Sequence, residues 1–322
     1  MRLSWLPRGK AFALLKLLET RQKFAGALRR FRPDLIHCHS LSPLWASVIA
    51  KSRTGARLLY DAHELETERN GLRGLAKTVD KWIERRLIRT CDAVVVVCDS
   101  IADWYEKEYG IERPVVVKNV PELQGGRPEP NHRLWRDRFG IPADHLVFIY
   151  QGGLFRGRRI EQLLRVFSQV KTDRHVVFMG YGEMWSMIDK ASRTRPNIHC
   201  APAVKPEEVL RHTAGADVGL VGVANVCLSY YYSLPNKLFE FLMAGIPALM
   251  PEYPEMVRLT LGSGCGWVVG EEDAHWVAAV DGLGNDQIAD GKLCASALGA
   301  RLSWQEEADK LIALYGRLLG QE

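Results

Sequence analysis

Nothing in this 322-residue sequence reaches the run of roughly 18 apolar residues that a membrane-spanning helix requires, and Pro7, Arg8, Gly9, Lys10 and Lys16 interrupt any signal-peptide core. The chain is therefore expected to be soluble or peripheral. Cysteine is sparse and unpaired: seven are scattered at positions 38, 91, 98, 200, 227, 265 and 294, with no C-x-x-C spacing. An odd, dispersed set inside apolar runs reads as reduced core thiols of a cytoplasmic protein. There is no H-E-x-x-H and no paired-carboxylate motif, and no short repeat or low-complexity segment stands out.

Positive charge is present but unevenly spread. The net charge is +5, yet residues 1–33 hold nine Lys or Arg against one Glu, a net +8, so the remainder carries about −3. Within that basic stretch, residues 10–31 read as a helix, with Phe12, Leu14, Leu15, Leu18, Phe24 and Leu28 near helical spacing. Two readings stay open: a basic amphipathic helix on an anionic membrane surface, or a domain helix with a snorkelling basic rim.

The rest alternates short β-rich runs with helical stretches. Strands are expected at 35–38, 57–60, 93–98 and 115–117, then at 146–150, 175–179, 198–200, 218–221, 248–250 and 267–269. Strand and helix in alternation mean parallel sheets, and the all-apolar run at 94–97 fits a strand covered on both faces. The segment PELQGGRPEPN at 121–131 has linker composition. The expected organisation is a Rossmann-like domain over 1–125, a second over 126–302, and a closing helix over 303–322 that packs back on the first.

Most informative is the run from Ser229 to Pro251, SYYYSLPNKLFEFLMAGIPALMP. Pro235 suits a first helical turn, Ser233 is placed to cap it, and Gly245 supplies the stop. Leu238, Phe239, Leu242 and Met243 form an apolar stripe, leaving Asn236, Lys237 and Glu240 on another face. A helix N-terminus with a lysine in its first turn suits a phosphate, and a carboxylate one turn on suits sugar hydroxyls. The same spacing also fits a solvated helix face with an i, i+3 ion pair. Elsewhere, QGGLFRGRR after a strand offers Gly152 and Gly153 for close backbone approach, with charge from Arg156, Arg158 and Arg159. Gly180 and Gly182 follow another strand, serving either a ligand or merely the turn. His37 and His39 share one strand face; zinc is not expected there, because no further ligand cluster is visible.

The run PNKLFEFLMAGIPALMP resembles the donor-binding helix of retaining GT-B glycosyltransferases of family 4, a group typical of bacterial polysaccharide assembly. The resemblance extends from about Pro33 to the C-terminus. It implies an α/β GT-B fold, two doubly wound Rossmann-like domains facing across a cleft, and transfer of a hexosyl or other sugar from a nucleotide-diphosphate donor to a glycan or lipid-linked acceptor, with retention of configuration. It further implies that Glu240 holds the ribose, with Asn236 in the same helix turn. Arg158 takes the place of the family's diphosphate-gripping Lys, and Lys237 joins it in stabilising the departing diphosphate. Gly153 stands where the family has an Arg, so Arg156 is expected to compensate. Gly180 and Gly182 resemble the turn near the nucleotide base. His63, flanked by Asp61 and Glu64 in YDAHE, matches a His facing sugar and acceptor. No metal or other cofactor is expected, no nucleic acid is involved, and the location implied is cytoplasmic, at or near the inner face of the plasma membrane, with residues 1–33 as the peripheral membrane contact.

Two departures bear on this. A Glu usual eight residues before Glu240 is replaced by Tyr232, and no strand with a Gly-rich loop precedes the basic helix. They favour two alternatives: a catalytically silent nucleotide-binding partner, or an N-terminally shortened form that binds but turns over poorly. Another GT-B enzyme, such as a nucleotide-sugar epimerase, is the rival activity.

Overall fold

The computed structural model describes residues 13–123 and 126–321, and its chain divides into two compact units. The first comprises the chain up to Lys118, Cys227–Ser229 and the segment from Glu306 onward; the second comprises Asn119–Val226 and Tyr230–Gln305. The linker-like segment around Arg127 is thus part of the second unit, where the Arg127 guanidinium donates to the Gly299 carbonyl at 2.7 Å. Both units are α/β with wholly parallel sheets, the Rossmann-like architecture expected.

In the first unit, β1 (Leu35–His39), β2 (Arg57–Ala62), β3 (Ala93–Val96) and β4 (Val115–Val116) lie in the order β1-β2-β3-β4. Strands β2 and β3 are buried along almost their whole length, as a sheet covered by helices on both faces demands. Gly55, at φ 76°, ends the helix Leu41–Thr54 by returning its N–H to the Lys51 carbonyl. The C-terminal helix Trp304–Leu319 buries Leu314 against Leu59, Val95 and Val117. Register pairs His39 with Asp61 across β1 and β2, a consequence for the chemistry below.

The basic helix spans Ala13–Phe31 and packs against the helix Leu41–Thr54. Residues up to Phe12, Lys10 among them, lie outside those described. Its apolar residues do not all face inward: Ala25 is buried, whereas Leu15, Phe24 and Phe31 are exposed. Phe24 and Phe31 are two turns apart on one face. Among the described residues, no helix is long and apolar enough to cross a membrane.

The second unit holds β5 (Leu146–Gly153), β6 (Arg174–Tyr181), β7 (Ile198–Pro202), β8 (Val218–Leu220), β9 (Ala248–Pro251) and β10 (Gly266–Val269), in the order β10-β9-β8-β5-β6-β7. The chain winds outward from β5 to β7, then returns to β8 on the other side of β5. Parallel sheets bind ligands at the strand C-termini where the order reverses, so the ends of β5 and β8 are the place to look. The core around Phe148, Phe167, Phe178 and Trp276 fixes those strand ends. Four helices not visible as such in the sequence, Arg133–Phe139, Pro254–Thr260, Asp273–Gly282 and Asn285–Arg301, complete the unit.

Candidate functional site

Strand β5 ends in Gln151, Gly152 and Gly153, and the glycines have local reasons. Gly152 adopts φ 105°, open to glycine and strained for other residues. Gly180 lies beside Gly152 in register, and a Cβ there would sit 1.9 Å from the Gly152 carbonyl oxygen. A Cβ on Gly182 would come within 2.3 Å of the Leu154 carbonyl. Gly180 and Gly182 therefore let β5 and β6 end in close backbone contact, while a Cβ on Gly153 would strike the Phe155 ring at 2.7 Å.

The helix Asn236–Met243 starts at this end of the sheet. Pro235 takes the cap position, one residue earlier than expected, and Ser233 does not cap: its hydroxyl donates to the Tyr230 carbonyl at 2.7 Å. The helix begins only at Asn236, two residues beyond where Ser233 would cap it, and Pro235 has no side-chain oxygen, so the helix amides keep no side-chain cap. Gly245, at φ 72°, closes the helix as expected.

Lys237 and Glu240 stand one turn apart on this helix. The Lys237 ammonium is buried without a hydrogen-bond partner, 3.6 Å above the Tyr150 ring. Burial, with Arg158 nearby, lowers its pKa to about 7, against the opposing pull of Glu240. Glu240 accepts from the Gln151 amide at 2.6 Å, and the Gln151 carbonyl oxygen accepts in turn from the Thr213 hydroxyl. Burial raises the Glu240 carboxyl above the usual range, with Gln151 and Lys237 opposing. Neither Gln151 nor Thr213 was singled out by the sequence; the one available signal was a polar residue at the end of an otherwise apolar strand. Glu240 opens onto a groove of about 990 Å³, lined by Val204, Pro206 and Leu210 on one side and Arg127 and Pro128 on the other.

The arginines divide. Arg158 lies over the Tyr230 ring at 4.9 Å, and its charge reaches Lys237. Arg156 is exposed, its backbone N–H 3.2 Å from a Glu183 carboxylate oxygen and its guanidinium 3.9 Å from the same oxygen. Arg159 does not supply charge to this site. It is buried, donating to the Val223 carbonyl, Gln162, Glu271 and the Tyr253 hydroxyl, a network that holds its backbone at φ 55°. Asn236 is exposed at the first helical turn. Tyr232 packs its ring 5.4 Å from that of Tyr231.

A separate constellation occupies the first unit, at the C-terminal ends of β1 and β2. His37 sits between Tyr315, whose hydroxyl is 2.6 Å from Nδ1, and Asp61, 3.1 Å from Nε2. His39 Nδ1 is 3.0 Å from His63 Nε2 and 3.3 Å from the same Asp61 oxygen. The sequence pairs His63 with Asp61, but the fold gathers His37, His39 and Tyr315 with them.

Comparison with known proteins agrees with this architecture. Residues 3–120 match the model of Glycosyltransferase Family 4. The putative teichuronic acid biosynthesis glycosyltransferase TuaC of Bacillus subtilis is 22% identical over 239 residues, 74% of this chain and 56% of that protein, so the chain spans little more than half the length of its curated relative. Among solved structures, the sucrose-phosphate synthase of Thermosynechococcus elongatus superposes over 100% of this chain and 82% of its own, with a TM-score of 0.76 and 16% identity. The Anabaena protein HepE, in complex with UDP and glucose, does so over 97% and 84%, with a TM-score of 0.74 and 13% identity. The chain thus has the GT-B fold, and its residues 3–120 match the Glycosyltransferase Family 4 model.

Proposed function

We propose that this protein is a glycosyltransferase that takes a sugar from a nucleoside diphosphate donor and passes it, with retention of configuration, to a glycan or lipid-linked acceptor. The observation that carries the reading is Lys237: a buried ammonium without a hydrogen-bond partner, at an uncapped helix N-terminus where the strand order reverses. An unpaired buried cation is costly unless an anion joins it, and a diphosphate supplies that anion. Arg158 adds a second charge. These cations and the helix amides stabilise the departing diphosphate without a metal ion at that position. Glu240, oriented by Gln151, accepts from the ribose hydroxyls, and the groove beside it takes the rest of the nucleoside. In the first unit, His63 and Asp61 contact the acceptor.

Titration calorimetry in chelator tests the donor half. UDP or GDP is expected to bind, and Glu240→Ala to weaken it by about 1 to 3 kcal/mol, the scale of hydrogen bonds to a charged group. Unchanged affinity in the folded variant removes Glu240 from the site. A second reading, nucleotide binding without turnover, is favoured by Tyr232 in place of the usual carboxylate; nucleotide release from several donors separates the two.

The acceptor is proposed to lie at an anionic membrane face. Phe24 and Phe31 are exposed on the basic helix, and Arg29 and Arg30 stand in its last turn. Co-sedimentation with anionic vesicles is expected at low salt and is expected to fade at high salt, with each basic residue contributing about 1 kcal/mol. Binding unaltered by Arg29→Glu, Arg30→Glu and Phe31→Ser together would show that this helix is an ordinary domain surface.

A further inference from the structure

We propose that His37, His39 and Asp61 hold a divalent transition-metal ion, zinc by the chemistry of the donor set, at the C-terminal ends of β1 and β2. One donor atom from each of the three lies within 4.8 Å of the others. Ligands about 2.0 Å from a four-coordinate zinc ion stand about 3.3 Å apart along a tetrahedral edge. The Asp61 oxygen is already 3.1 Å from His37 Nε2 and 3.3 Å from His39 Nδ1, so two of the three ligand–ligand edges have the length an ion requires, and the whole set lies within 4.8 Å.

The backbone sets this geometry. His37 and His39 project from one face of β1, and Asp61 is the register partner of His39 on β2, so rigid strands rather than loops present the ligands. The side chain of His37 is 17% exposed and that of Asp61 12%, whereas that of His39 is 55% exposed, leaving a path for an ion to enter. Tyr315 stands where metal-bound histidines have their outer contact: its hydroxyl lies 2.6 Å from His37 Nδ1, and in the tautomer with the proton on Nδ1 it accepts that proton and leaves Nε2 free to ligate beside Asp61. His39 Nδ1 faces both the Asp61 oxygen, at 3.3 Å, and His63 Nε2, at 3.0 Å, so potential ligand atoms already converge on this point. Three protein ligands leave a fourth position for water or a hydroxyl group, with His63 beside it. The site lies wholly within the first unit and does not depend on the transferase reading.

The test titrates metal-stripped, full-length protein with Co²⁺, followed by visible absorption, and then displaces the cobalt with Zn²⁺. One equivalent of cobalt with the intense absorption of a four-coordinate ion is expected, lost on addition of zinc. His39→Ala and Asp61→Asn are each expected to weaken binding at least about tenfold, and Tyr315→Phe, which leaves all three ligands in place, about tenfold through the outer contact. His145→Ala, in the separate histidine row of the second unit, is expected to change nothing. Thermal melts of each variant establish that it is folded. Uptake of well under one equivalent, or uptake unaltered in folded His39→Ala and Asp61→Asn, overturns the proposal; loss of binding in His145→Ala alone would move the ion to the second unit and overturn it equally.

Discussion

Lys237→Met is expected to slow sugar transfer about 10²- to 10³-fold, the cost of removing one preorganised charge from a departing anion, while leaving the fold intact. Methionine matches the lysine stem in length and remains compatible with the Tyr150 ring, so the change removes charge rather than packing. The same lysine is expected to make the proposed diphosphate binding depend on pH. In the free protein its pKa is about 7, so above that pH the side chain is largely neutral. A bound diphosphate favours the ammonium, so binding above pH 7 takes up a proton. Affinity should therefore fall as pH rises, by up to about tenfold per unit for a single coupled proton, and flatten below pH 7, where the proton is already present. Calorimetry in buffers of different ionisation enthalpy reads the uptake directly. Lys237→Met should abolish it, and a slope that persists in this variant would assign the proton to another group.

Glu84→Ala is expected to destabilise the first unit by about 3 to 5 kcal/mol, the range for breaking a buried polar network. Glu84 is fully buried on the helix Gly74–Leu87 and accepts from three tyrosine hydroxyls: Tyr60 at 2.6 Å, Tyr105 at 2.7 Å and Tyr109 at 2.6 Å. Tyr60 belongs to β2 and the other two to the helix Asp99–Tyr109, so one carboxylate ties three elements together. Alanine removes the acceptor, strands buried hydroxyls and leaves a cavity. Glu84→Gln keeps the volume and one acceptor oxygen, and should cost less. Burial raises the Glu84 carboxyl above its ordinary value, with the three hydroxyls opposing. In the window from the unfolded value of about 4.5 up to the raised one, the folded state holds the extra proton. Stability from this group is therefore greatest at the acid end and declines as pH rises through the window. Glutamine carries no charge and should lose that decline, which denaturant unfolding across the window would measure. Equal stability of wild type and Glu84→Ala would show that the tyrosines find other partners.

How much of this was legible in the sequence differs by element. The ten strands among the described residues were all visible, most of them because a parallel strand covered on both faces is largely apolar and leaves a run such as VVVV at 94–97. Four helices of the second unit were not, among them Asn285–Arg301, whose buried side is Ile288 followed by the small residues Gly291, Ala295 and Gly299, without a pronounced apolar stripe. Gly299 fits there because a Cβ would come within 2.1 Å of the Leu242 carbonyl, a demand for smallness that periodicity does not express.

The helix Asn236–Met243 was determined by its sequence: Pro235 at the start, Gly245 at the stop, and an apolar stripe that leaves Lys237 and Glu240 together on the other face. Local steric rules and the helical period are enough for that, since both act within a few residues. Only the tertiary structure decided what these residues meet. Lys237 lies over Tyr150 and Glu240 bonds Gln151, each from a strand far away in the chain, and it is this burial that brings the lysine to about 7. The fold likewise divided three neighbouring arginines into a solvent-facing Arg156, an Arg158 over Tyr230 and an Arg159 locked in the interior. It also placed Glu84 at the centre of a buried network, and brought His37, His39, Asp61 and Tyr315 to one point. Sequence spacing fixes which face of its own element a side chain occupies, but burial, charge coupling and donor geometry depend on what packs against that face, and the partners are contributed by distant segments through strand register and sheet order.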